Sequence, residues 1–405
     1  MKILQINSSI NSGSTGRITE QIGAVALEKG HQSYIAFGRT ENSSKSVKIK
    51  IGGICNVFLH FLESFLFDRH AFSSRIATYY FLRKVDKIAP DIIALYNLHG
   101  YYLNVEMLFK YIKVKTIPVV WTLFDCWAFT GHCSYFDNIN CEKWKSHCEK
   151  CPKSSYYPRS FILDNSKRNF SAKKTIFNNV KNMKIVVHSE WLKTMVSYSF
   201  LNKYKVNVIP SGVDVSVFKP QKSGLKQKLK LDNKTIILGC ASIWDKRKGL
   251  DDFIQLSVLL PDKFQIVLIG LSNKQLKQVD KKIIGISRTE NIAQLVDFYN
   301  LADVFVNPTY QDNFPTTNLE ALACGTPVIT YNTGGSPEAI DTNTGFVVEK
   351  GDIQGIYDAI MKISELKSDF YIDNCRKRAV EYFDNTKTFA QYVRIFEDMF
   401  QKSVK

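Results

Sequence analysis

Short, unbroken apolar runs at Thr235–Cys240, Phe264–Leu271, Ile283–Ile286, Asp303–Pro308 and Pro327–Tyr331 alternate with segments of helical periodicity. Those segments are Leu250–Leu260, Lys274–Asp280, Asn291–Ala302 and Thr316–Cys324. A run without polar alternation suits a strand buried on both faces, and such strands belong to parallel sheets covered by helices. The alternation therefore predicts a doubly wound α/β sheet with right-handed crossovers and ligand-binding loops at the carboxyl ends of its strands.

The first part of the chain repeats the theme less regularly. Lys2–Ser8 reads as a first strand, followed by the loop Asn11–Gly16, a helix ending near Gly30, and buried strands at Asp91–Tyr96, Pro118–Leu123 and Lys184–Val187. Between Lys205 and Lys234 the chain turns basic and loses its period around Pro210, Gly212, Pro220 and Gly224, so the domain junction falls near Pro210. The expected domains are residues 1–205 and 206–385, with a last helix at about 386–405 packing back on the first. The expected architecture is two Rossmann-like α/β domains with parallel sheets, facing each other across an interdomain cleft.

At 405 residues, with 45% hydrophobic and 23% charged side chains, the chain is an ordinary globular sequence of about two domains, not a disordered or collagenous one. Its +16 charge is uneven. Residues 1–250 hold 38 basic and 17 acidic side chains, and residues 251–405 hold 16 and 21. A basic half suits a polyanionic partner such as nucleic acid, an anionic membrane or a phosphorylated substrate; a Lys-rich proteome gives the same balance. Polar residues interrupt the N-terminus too early for a secretory signal, and no apolar run approaches the ~18 residues of a membrane span. A cytoplasmic protein, peripheral to the inner face of the membrane at most, is expected. Nine cysteines in such a chain point to mostly reduced thiols.

The stretch from Asn307 to Pro327 carries the most chemistry. A strand ends, a polar loop follows, Pro315 stands at the first turn of a helix, and Gly325 closes that helix. The free amides at its start suit a diphosphate. Asp312 precedes the helix, and Glu320 lies about 7.5 Å along its axis at ~1.5 Å per residue. Two carboxylates so placed could hold sugar hydroxyls on either side of a diphosphate; the plainer reading is a capping Asp and a solvated Glu.

Asp312 and Glu320, followed by Ala-Leu-Ala-Cys-Gly-Thr-Pro-Val and by Gly334-Gly335-Ser-Pro-Glu338, resemble the signature of family 4 glycosyltransferases. The likeness extends to Ile209-Pro-Ser-Gly-Val-Asp214, Lys248-Gly249, Arg288-Thr-Glu-Asn and Ala302-Asp303-Val. It implies the GT-B fold, a nucleotide-sugar donor and retention of anomeric configuration. By the resemblance, Asp312 contacts the donor sugar, Glu320 the ribose, and the amides around Asn313 and Phe314 line the sugar and phosphate pocket. Lys248 corresponds to the family's phosphate-binding lysine and would stabilise charge as the glycosidic bond breaks. Ile243 stands where the family has an arginine, leaving Arg247 or Lys246 to supply the second charge, and Arg288 joins the donor side. Gly16, in Gly13-Ser-Thr-Gly16-Arg17, belongs to the loop that closes over the donor phosphates. Trp121–Cys133 resembles the acceptor-side motif, with Asp125 present and Phe124 where a histidine normally precedes it; His99 or His132 is left to make that histidine's contact.

Cys133, Cys141, Cys148 and Cys151 crowd together, but only Cys148-x-x-Cys151 has zinc-like spacing. A structural zinc, a disulfide and free thiols stay open. The aromatic and basic segment Phe58–Lys84 reads as a core helix pair with a solvated basic end, or alternatively as a surface leaning on an anionic membrane.

The function expected is a retaining glycosyltransferase. It would move a sugar from a nucleotide-diphosphate donor to a saccharide acceptor, lipid-linked in the fullest form of the reading, in surface polysaccharide synthesis. No cofactor is expected in catalysis and no specific nucleic acid as partner. The competing readings are a GT-B sugar-nucleotide epimerase and a catalytically impaired homologue.

Overall fold

The computed structural model describes residues 1–280, 282–365 and 368–404. The chain forms two compact units, Met1–Ile209 with Phe389–Lys405, and Pro210–Thr388.

The first unit is built on strands β1 (Lys2–Ile6), β2 (Gln32–Phe37), β3 (Val47–Lys50), β4 (Ile92–Leu95), β5 (Val119–Leu123), β6 (Met183–Val187) and β7 (Lys205–Val208). They form one parallel sheet in the order β3-β2-β1-β4-β5-β6-β7. Its helices are α1 (Gly13–Glu28), α2 (Ile54–Phe67), α3 (Arg75–Ile88), α4 (Val105–Lys115), α5 (Ser166–Phe177) and α6 (Glu190–Tyr198). The central strands β4 and β5 are buried along their whole length, as a sheet covered on both faces requires.

The second unit carries α7 (Leu225–Lys228), β8 (Thr235–Cys240), α8 (Leu250–Leu259), β9 (Phe264–Ile269), α9 (Asn273–Leu276), β10 (Ile283–Ile286) and α10 (Ile292–Leu301). It continues with β11 (Val304–Asn307), α11 (Thr316–Ala323), β12 (Val328–Tyr331), β13 (Gly345–Val348), α12 (Ile353–Glu365) and α13 (Ser368–Tyr382). Its six strands are parallel in the order β10-β9-β8-β11-β12-β13. The last helix, α14 (Asn385–Val404), places Phe389, Tyr392, Val393, Phe396 and Met399 on one stripe. That stripe packs in one buried cluster with Ile3, Ile92, Val120 and Val186 of the first unit's sheet.

One expectation is corrected. The segment Phe58–Lys84 is not a simple core helix pair. Helix α3 buries Thr78, Phe81 and Val85 as such a helix should, but the side chains buried on α2 are His60 and Ser64. Ile54 is 86% exposed and Leu59 62%. His60 faces inward because both its ring nitrogens are hydrogen-bonded there: Nε2 accepts the Ala71 amide at 3.0 Å and Nδ1 donates to the Ser74 hydroxyl at 2.7 Å.

Candidate active site

In the second unit the strand order reverses between β8 and β11, so the loops leaving their carboxyl ends diverge and leave a crevice at that point. The two most informative sequence motifs occupy these two loops. After β8, Asp245 accepts the Arg247 amide at 3.0 Å and starts the tight turn Lys246–Lys248. After β11, the Tyr310 amide donates to the Arg247 carbonyl at 2.8 Å, and the Arg247 guanidinium donates to the Gln311 carbonyl at 3.2 Å. The Lys248 ammonium then meets the Asp312 carboxylate at 2.6 Å, with each side chain about one-fifth exposed.

Two glycines allow this packing. Gly249 has φ +75°, and a Cβ there would clash with the Pro308 carbonyl. Gly334 has φ +56°, and a Cβ would lie 1.9 Å from the Asp312 carbonyl oxygen. Only a residue without a side chain fits either place.

Helix α11 begins at Thr316. Pro315 is its cap, in an extended conformation, and lies one residue before the first turn in which the sequence placed it. A buried polar network fixes this start. Asn307 donates to Asn318 at 2.8 Å, Asn318 donates to the Ser336 hydroxyl at 3.1 Å, and Thr330 donates to the Asn307 carbonyl at 3.0 Å. Asn313 and Phe314 are buried beneath the loop, and the Phe314 ring packs 5.9 Å from that of Phe383. Glu320 accepts from the Tyr299 hydroxyl at 2.8 Å. Cys240 closes β8 with its thiol pushed up to about 12, chiefly by burial and then by the Glu320 charge, while Lys248 pulls the other way. Arg288 is exposed on the loop after β10, and Ile243 is 71% exposed. Sequence reasoning missed Asp252, which receives the Tyr310 hydroxyl at 3.1 Å and the Tyr331 hydroxyl at 2.6 Å and so ties the loop to α8.

In the first unit Gly16 lies in the first turn of α1, where a Cβ would sit 3.2 Å from the Ser9 carbonyl. The order of this sheet reverses between β1 and β4, and the loop after β4 carries His99. His99 Nε2 lies 2.9 Å from the Asp125 carboxylate, and its Nδ1 lies 3.0 Å from the Tyr157 hydroxyl. The other Asp125 oxygen accepts the Trp127 amide at 2.9 Å. The His70 ring stands 5.7 Å from that of His99, with its pKa held well below the ordinary value mainly by burial. Tyr157 and His70 escaped sequence reasoning because they come from segments far from both partners.

His132 does not join this group. It is buried with Asp68 at 2.6 Å, and although burial opposes its charge, the hydrogen bond and charge of Asp68 raise its pKa. Phe124 packs 4.9 Å from the His188 ring. His188 Nδ1 donates to the Ile209 carbonyl at 2.9 Å, while its buried Nε2 has no hydrogen-bond partner. Lys173, fully buried, donates to the Trp127 and Thr130 carbonyls at 2.8 and 3.1 Å, and burial lowers its pKa to about 7.

All nine cysteines are free thiols. Cys151 is hydrogen-bonded to Cys133, which lowers its pKa against the effect of burial. Among the described residues no group of three or more His, Cys, Asp or Glu side chains is placed to hold a metal ion.

Two parallel α/β units, each with a switch-point crevice, define the GT-B class of glycosyltransferase folds, which the solved structures of similar shape share. Sucrose-phosphate synthase from Thermosynechococcus elongatus superposes with a TM-score of 0.72 over 99% of both chains at 16% identity. Residues 234–365 match the family described as Glycosyl transferases group 1. The chain is similar to the putative colanic acid biosynthesis glycosyl transferase WcaC of Escherichia coli K12, at 24% identity over 87% of this chain and 88% of that protein. It is also similar to an Escherichia coli UDP-Gal:alpha-D-GlcNAc-diphosphoundecaprenol alpha-1,3-galactosyltransferase, at 26% identity over 53% of this chain and 60% of that one. Among the described residues no helix is long and apolar enough to cross a membrane.

Proposed function

We propose that this protein is a retaining glycosyltransferase of surface polysaccharide synthesis, moving a sugar from a nucleoside-diphosphate carrier to a lipid-linked saccharide. The observation that carries the reading is the Lys248–Asp312 pair, held between the β8 and β11 loops at the start of α11. The ion pair keeps both groups ready without a donor. An arriving diphosphate takes the Lys248 ammonium and the first amides of α11, which frees the Asp312 carboxylate for hydroxyls of the sugar. Glu320, whose carboxylate accepts from the Tyr299 hydroxyl, holds the ribose. Arg247, Arg288, Asn313 and Phe314 complete the donor side.

In the transfer the bond from the anomeric carbon to the phosphate oxygen breaks, and a bond to the acceptor oxygen forms on the same face. The acceptor's proton passes to the departing phosphate. Lys248 and the α11 amides stabilise the negative charge that grows on that phosphate, so no divalent cation is required. Asp125 and His99 orient the acceptor hydroxyl. The relatives named for colanic acid synthesis and for transfer to a diphosphoundecaprenol sugar support the substrate class.

The test is incubation of the full chain with nucleotide sugars, with and without a polyprenyl-diphosphate saccharide, followed by NMR of the new linkage. A product of retained configuration, formed only with acceptor present, is expected. An inverted product excludes the retaining mechanism, and an altered sugar nucleotide formed without acceptor makes the protein an epimerase instead.

A further inference from the structure

We propose that the face made by α2, α3 and the segment 156–163 of the first unit docks on an anionic lipid bilayer. Helix α2 is inside out: its polar His60 and Ser64 are buried, while Ile54, Phe58 and Leu59 face solvent. The patch extends beyond one helix. Phe65 stacks on Phe161 with ring centroids 5.7 Å apart, and the Phe161 amide donates to the Phe65 carbonyl at 2.7 Å. That contact holds Phe161 (72% exposed), Ile162 and Leu163 beside α2. On the other side a groove of about 410 Å³ runs between α2 and α3, lined by Leu59, Ile76, Ala77, Tyr80 and Phe81. Soluble monomers rarely leave a contiguous apolar surface of this kind uncovered.

Charge identifies the occupant. Lys50 and Lys84 line the groove, Arg83 and Lys87 are exposed on α3, and Arg159 lies 5.9 Å over the Phe65 ring. Acidic groups nearby are already engaged: Glu63 with the Ser73 hydroxyl, Asp86 with Lys115, and Glu106 with Arg75. Apolar and aromatic side chains flanked by exposed lysines and arginines match a bilayer, with acyl chains below and phosphates at the rim. A second copy of the chain fits less well, because a two-fold contact through this face would bring its basic rim against itself.

The patch also reaches the acceptor-side pair. The Phe61 ring packs 5.5 Å from Tyr101, Tyr101 packs 6.2 Å from Tyr157, and Tyr157 bonds His99. A saccharide carried on a membrane lipid would thus be delivered toward His99 and Asp125. That link rests on the proposed function; the docking surface itself does not.

The experiment is sedimentation of the full chain with vesicles of phosphatidylcholine alone or mixed with phosphatidylglycerol, at low and high salt. The protein is expected to sediment with the anionic vesicles and to be released by salt. The combination Ile54→Ser, Leu59→Ser and Phe161→Ser should weaken binding by about tenfold or more, since each change removes apolar surface from the interface. Lys84→Gln with Lys87→Gln should remove much of the salt-sensitive part. All five positions are exposed, and unchanged melting curves confirm that the variants are folded. Wild-type protein that stays in the supernatant with every vesicle overturns the proposal, as does undiminished binding of the apolar variant. A concentration-dependent dimer that the serine changes dissolve, without vesicle binding, assigns the face to a second copy. None of these outcomes bears on turnover with a nucleotide sugar.

Discussion

Replacing Gly334 by alanine tests whether the loop carrying Asp312 must sit where it does. The added Cβ would fall 1.9 Å from the Asp312 carbonyl oxygen, whereas ordinary contact begins near 3.4 Å, so the backbone must retreat by about 1.5 Å. Alanine at φ +56° itself costs about 1–2 kcal/mol. For a unit of this size that corresponds to a fall of roughly 2–8 °C in melting temperature. A displacement of an ångström in a group that positions substrate costs on the order of 10²-fold in rate. The control is Gly224→Ala, whose Cβ would meet nothing within 4 Å. Calorimetry and initial rates with a nucleotide sugar read both effects. A Gly334→Ala protein with the rate of the Gly224→Ala control would refute the claim that this loop grips the donor.

The first unit and its titratable core give two further predictions. Asp125→Asn should keep donor affinity and lose turnover by about 10–100-fold, because a charged partner that orients His99 becomes a neutral one at similar geometry; steady-state kinetics read the split, and an unchanged kcat would remove Asp125 from the acceptor side. Burial lowers His188 to about 4 from its ordinary 6.5, so the folded state holds it neutral while the unfolded chain takes up a proton below pH 6.5. Stability from this residue is therefore complete above pH 6.5 and falls by roughly 3 kcal/mol as the pH drops to 4. Urea unfolding of His188→Gln should show that much less acid sensitivity than the wild type, and equal slopes would show that His188 does not titrate as described.

The second unit was the more legible in sequence because most of its strands are buried on both faces and read as continuous apolar runs. Strands that escaped notice lie at or near sheet edges, where one side meets solvent and the run is broken. Strand β3, Val-Lys-Ile-Lys, buries only Ile49, and β7 buries none of its four residues. The edge strand β13, Gly345–Val348, opens on a glycine and buries only its first and last residues, so its run is broken. The Lys248–Asp312 contact was readable because the two residues belong to compact motifs that leave adjacent strands β8 and β11. The His99–Asp125–Tyr157 contact was only half readable, since its residues come from three separated segments that the fold alone brings together. Apolar content misled at α2: an oily helix was taken for core, but the buried hydrogen bonds of His60 decide which of its sides faces inward.

The central claim is that Lys248 and Glu320 hold the two ends of a nucleoside diphosphate at the head of the second sheet. Isothermal titration of the full chain with UDP, GDP, ADP and dTDP tests it without need of an acceptor. One of these should bind at one site per chain. Lys248→Ala should weaken it by about 10–100-fold, the worth of a hydrogen bond to a charged group, and Glu320→Ala by a similar factor. Affinity for that nucleotide left intact in both variants, with both still folded, would contradict the account.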